Sequence, residues 1–141
     1  MYNPITSQSL PTKKYRELLG TALCVFCSNN SFFIENLLRL DANETLSWNE
    51  LIDHKSGKLP RIANRILVGE QGETIIELFQ KIVNMRNRII HSFRITNKEG
   101  KQSLATKTKD NIQFEITESY LVEFIKENNN LSILLHELRG W

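Results

Sequence analysis

Residues 86 to 91 read Arg-Asn-Arg-Ile-Ile-His and hold the side chains of this chain best suited to chemistry. Breaking an RNA phosphodiester without a metal takes three groups. One is a base for the 2′-hydroxyl, one an acid for the departing 5′-oxygen, and one a donor for the charge that builds on phosphorus. A histidine titrates in the range that suits acid or base work, and here it is His91. A guanidinium fork matches phosphoryl oxygens, and here it is Arg86. Asn87 stands one turn before His91 on the same helical face, where it can orient the ring or bind phosphate.

These residues must be carried by a helix. Residues 73 to 95 show the strongest helical pattern of the chain, with Ile75, Leu78, Phe79, Ile82, Val83, Ile89, Ile90 and Phe93 on one broad arc. Arg86 falls in the middle of that arc, where an ion is costly unless it is paired or hydrogen-bonded. The structural alternative for it is a buried Arg–carboxylate pair. Beside the arc runs a stripe of neutral polar residues, Gln80, Asn84, Asn87 and His91, which sets His91 about 140° from Arg86. Such a stripe suits a helix pair or a subunit interface, and the structural alternative for His91 is a hydrogen-bonded interface histidine. Arg88 and Arg94, with Lys81, are candidates to guide an RNA backbone; their alternative is a solvated charged face.

Arg86-Asn87-x-x-x-His91 resembles the R-x4-6-H signature of the HEPN superfamily, in which a polar residue commonly follows the arginine. The motif lies late in a long helix of a small, mainly helical chain, as in HEPN bundles. The resemblance implies a metal-independent endoribonuclease of a toxin–antitoxin or anti-phage defence system, with RNA as substrate and neither cofactor nor metal. One motif supplies one histidine, while the reaction uses an acid and a base. A homodimer joined through the 73–95 helix would supply both, and would put Arg86 in a composite cleft. An antitoxin or defence protein is the further partner implied. Some toxins of this superfamily carry a tyrosine two residues after the histidine as an AMPylation target; Phe93 stands there, so control by that route is not expected. The alternative function is a noncatalytic HEPN-like module that binds a protein or a nucleotide.

The remaining elements are read from pattern. Residues 1 to 11 form a flexible arm and 12 to 141 a single domain, expected to be mainly α, an antiparallel helical bundle with a β-hairpin inserted before the last helix. Thr12 caps a first helix, kinked or broken at Ser28-Asn29-Asn30-Ser31. Ser47 opens a short one through a capping box with Glu50, and Pro60 starts another, punctuated by Gly69 and Gly72. The run Leu104, Thr106, Thr108, then Asp110-Asn111, then Ile112, Phe114, Ile116 reads as the hairpin. Thr117 caps the last helix, which Asn128 to Asn130 can bend and Gly140 ends.

The chain has 141 residues and a formal net charge of +2, too small for a nonspecific nucleic-acid binder, so RNA contact must be local. Cys24 and Cys27 lie in an apolar stretch and are expected in the core of a protein from a reducing compartment. Zinc is not expected, because no second close pair of ligands exists. Phe32, Phe33 and Trp48 are read as core. Lys98, Lys101, Lys107 and Lys109 make the hairpin region basic, either a solvated edge that discourages strand pairing or an RNA rim. With no signal-like start and no long apolar run, no membrane span is expected and the cytoplasm is the expected location.

Overall fold

The computed structural model describes residues 5 to 54 and 56 to 140. It is mainly α, with one small antiparallel sheet set between the last two helices. The long elements are α1 (Lys13–Leu40), α4 (Gly69–Ile90) and α5 (Glu118–Arg139). The short helices α2 (Trp48–Asp53) and α3 (Leu59–Ala63), with a 3-10 turn at Ser56–Lys58, connect α1 to α4. Of the expected arm, residues 1 to 4 lie outside the described residues.

The three long helices form the body. Phe33 of α1 stacks on Phe79 of α4 with ring centroids 4.1 Å apart, and Phe26 of α1 meets Phe124 of α5 at 6.3 Å. Ile34, Leu37, Ile75, Ile82, Leu121, Leu131 and Leu135 fill the space between, fully buried. By length and composition α1 alone among the described helices could cross a membrane, which the run-length reading did not register. Here its apolar stripe of Ala22, Phe26, Phe33, Ile34 and Leu37 is buried in the core.

Capping explains where the helices start and stop. Thr12, Ser47 and Thr117 each accept a hydrogen bond from the backbone N–H three residues on, as N-caps do. Gly140 ends α5 in the left-handed conformation, φ 90°. Pro60 sits in the first turn of α3, where its missing N–H costs nothing.

Several expectations are corrected. The Ser-Asn-Asn-Ser cluster does not break α1, because Asn29 is buried and donates to the Asn128 carbonyl at 2.7 Å and to its Oδ1 at 2.9 Å. Asn128 in turn donates to the Phe124 carbonyl, so α5 also runs through its three asparagines unbroken. A polar pair between two helices thus satisfies side chains that would otherwise compete with the helix backbone. Gly69 and Gly72 belong to the start of α4, not to the helix before it. A Cβ on Gly72 would lie 2.9 Å from the Leu67 carbonyl carbon, so the small residue lets the preceding loop pack closely. The cysteines face solvent, since they fall opposite the stripe of Ala22, Phe26, Asn29 and Phe33. Trp48 is also partly exposed, not buried in the core.

The expected helix over 73–95 instead stops at Ile90. Residues Phe93–Thr96 form β1, which pairs with β2 (Gln102–Lys107), and β2 pairs with β3 (Gln113–Ile116). The expected hairpin is therefore present with a third strand added. Phe93 faces Ala105 and Leu104 faces Ile116 in an all-antiparallel register. Helical periodicity carried through Phe93 because Ile89, Ile90 and Phe93 fit either element; the ladder to β2 decides it. The Tyr15 hydroxyl donates to the Ile116 carbonyl, fastening the end of β3 to the start of α1.

Replacing Asn128 by Ala removes the bond from Asn29 to Asn128 Oδ1 and the bond from Asn128 to the Phe124 carbonyl, while the Asn29 bond to the Asn128 backbone carbonyl can persist. It is expected to lower unfolding free energy by about 1–3 kcal/mol in urea denaturation. A variant as stable as the wild type would show that the asparagine pair does not hold α1 to α5.

Candidate functional site

The packed face of α4 tapers at its C-terminal end. Phe79 and Ile82 are fully covered and Val83 nearly so, but Ile90 is 44% exposed. Arg86 occupies that taper and is half-buried. Its guanidinium carbon lies 5.1 Å from the centre of the Phe26 ring. Nη1 donates to Asn87 Oδ1 at 3.0 Å. Because a guanidinium only donates, this bond fixes the asparagine's orientation: its oxygen is on Arg86 and its NH2 group points elsewhere. Asn87 thus positions the arginine. No carboxylate among the described residues pairs with Arg86, so the buried ion pair weighed for it is not formed there.

His91 closes α4 as its C-cap, with its N–H on the Asn87 carbonyl at 3.0 Å. The chain then turns sharply into β1. The Ser92 hydroxyl donates to the Ile89 carbonyl at 2.6 Å, and the buried Thr106 of β2 reaches the His91 carbonyl at 3.5 Å. These bonds hold the corner through its backbone and leave the imidazole of His91 facing solvent. The strand placement of Phe93 thus determines where the histidine is presented.

The other expected contacts separate. Arg88 reaches across to the Lys107 carbonyl and lies beside the sheet. Arg94 stands on β1, hydrogen-bonded to Gln102 Oε1 at 2.9 Å. Lys81 lies further back on α4, ion-paired to Glu127 of α5 at 2.7 Å. That hydrogen bond raises the lysine pKa and holds the Glu127 carboxyl below its ordinary value. Arg86, Asn87, Arg88 and His91 therefore share the end of α4, whereas Lys81 is engaged elsewhere.

Ile90, one helical turn after Arg86, is an open apolar side chain. Phe33 against Phe79 and Phe26 under Arg86 show that α1 and α4 run antiparallel. Continuing that register sets the turn of α1 around Leu23 level with Ile90. Leu23 is 37% exposed and Phe93 43% exposed. Arg86 thus precedes the open Ile90 by one turn, and His91 follows at the corner that ends the helix. Phe26, the ring beneath the arginine, is a site residue that sequence reasoning missed; it is an ordinary stripe position in α1, and only the helix pairing reveals its role.

Comparison with protein-family models, curated proteins and solved structures finds no match to this chain.

If Arg86 were kept for folding, its loss would be severe. Its partners are one ring and one amide, so Arg86→Met is expected to cost no more than about 1–2 kcal/mol in chemical denaturation, the scale of a partly buried cation–π contact. A loss above about 3 kcal/mol would instead mark it as a buried structural ion.

Proposed function

We propose that this protein is a HEPN-like, metal-independent endoribonuclease whose active unit is a homodimer. The observation that carries the reading is Arg86: a cation without a carboxylate partner among the described residues, laid on Phe26 and held by Asn87 one turn before the exposed Ile90. A folding role accounts poorly for such an arginine. A phosphate ligand accounts for it directly.

In the proposed dimer, Leu23, Ile90 and Phe93 are covered by their two-fold mates, and the ends of the two α4 helices meet. Each protomer brings one Arg86 and one His91 to the seam. One His91 takes the proton of the ribose 2′-hydroxyl as that oxygen forms its bond to phosphorus. The bond to the 5′-oxygen breaks, and the other His91, protonated, donates to it. The products are a 2′,3′-cyclic phosphate and a 5′-hydroxyl. The two Arg86 guanidinium groups neutralise the phosphoryl oxygens, where charge is greatest in the transition state. Work of this kind fits a toxin or defence effector restrained by a partner protein.

Expression of the wild type, Arg86→Ala and His91→Ala with growth and RNA integrity as readouts tests the reading. The wild type is expected to arrest growth and degrade RNA, and both variants to be harmless. In vitro, cleavage is expected to survive chelator, leave 2′,3′-cyclic phosphate ends, and fall by about 10²- to 10⁴-fold in His91→Ala. Equal and harmless behaviour of all three chains would favour the noncatalytic binding module.

A further inference from the structure

Beside the motif, on the flank of α4 away from Phe26, a cleft of about 540 Å³ opens between this helix and the tip of the β2–β3 hairpin. That volume falls in the range of small-molecule and cofactor sites. Its floor is aromatic: Phe114 of β3 and Tyr120 of α5 pack with centroids 5.8 Å apart, tilted 47°. The Tyr120 hydroxyl donates to the Met85 carbonyl at 3.3 Å, which pins the ring against α4. Burial pushes this phenol up to about 12, so it stays neutral. The rest of the lining is Asn84, Met85, Asn87 and Arg88 from the helix, and Thr108 and Lys109 from the hairpin turn. None of the lining residues is acidic; Glu123 is close enough to act on the Tyr120 phenol but does not line the cleft.

An aromatic floor, amide walls and two cations at the rim match one chemical class, a nucleotide with its base unpaired. Base–aromatic stacking needs a free π-face, amides can satisfy a base edge, and the cations can take its phosphate. Asn87 belongs to both places: its oxygen holds Arg86, and the residue itself lines the cleft. Arg86 and the cleft are thus joined through one residue of α4.

We propose that this cleft seats a single unpaired nucleotide next to the cut phosphate, its base over Tyr120 and its phosphate between Arg88 and Lys109; this rests on the ribonuclease reading of Arg86 and His91. The hairpin then confines cleavage to single-stranded segments, because a base in a duplex has no free face to offer the floor.

The test is fluorescence anisotropy with a short labelled oligoribonucleotide, methylated at every 2′-oxygen so that it cannot be cut, and with its duplex. The single strand is expected to bind and the duplex to bind much more weakly. Tyr120→Leu is expected to weaken single-strand binding about tenfold, in line with the loss of one stacked base. Tyr120→Phe, which keeps the ring, is expected to hold affinity. Asn84→Ala and Lys109→Ala change exposed side chains without touching the core. Both are expected to weaken binding, and Lys109→Ala to reduce the salt dependence by about one ion. Equal affinity for duplex and single strand, unchanged affinity in Asn84→Ala, Lys109→Ala and Tyr120→Leu, or no binding by the wild type would each overturn the proposal. Failure of the two readings can be told apart. A chain that binds through these residues but never cuts unmodified RNA keeps the cleft and loses the nuclease. One that cuts RNA while the cleft variants bind normally does the reverse.

Discussion

Arg86 lies with its guanidinium on the face of Phe26 and one of its nitrogens on the Asn87 amide, at the point where the α1–α4 core runs out. The ring and the amide stabilise the charge by about 1–2 kcal/mol, far less than full burial of an unpaired ion would cost. The arginine therefore stays half-covered, and the packed face must open around it. Ile90, one turn further on, is partly exposed although it shares an arc with fully buried Phe79.

The other constraint is the corner after the helix. Ending α4 at Ile90 places His91 as a cap instead of on a helical turn; Ser92 bonds the Ile89 carbonyl and Thr106 the His91 carbonyl, which holds the corner. The sheet that begins two residues later brings Lys109 and Phe114 back beside α4. On the proposed reading, one short stretch of chain thus supplies a phosphate ligand, a proton carrier and a strand that builds the neighbouring cleft. The split of cation, amide and imidazole between two flanks of α4 suits an extended ligand that lies across the helix end.

Local signals in the sequence foretold the parts that depend on local physics. The caps at Thr12, Ser47, Thr117 and Gly140 are short-range hydrogen-bonding choices, and each stands where its residue type indicated. The wheel set Arg86 in the middle of the apolar arc, whereas the structure has it half-buried at the end of the packed face. Long-range features escaped it. Asn29 and Asn128 read as helix breakers because their partner is 99 positions away. Phe93 fits a helical stripe as well as a strand, and only its ladder to Ala105 settles it. Cys24 and Cys27 looked like core because a 28-residue helix rich in apolar residues has more of them than its neighbours can cover. Nothing local marks Phe26 as the arginine's support or Tyr120 as the floor of the cleft.

The central claim is that acid and base come from two copies of His91 in one composite site. Mixing wild-type and His91→Ala chains in varied proportion, with exchange of protomers allowed, tests it most directly. If both histidines serve each cleavage event, only dimers of two wild-type chains cut RNA, and activity at fixed total protein falls as the square of the wild-type fraction. Activity that falls in simple proportion to that fraction would contradict the claim and place the whole catalytic apparatus within a single chain.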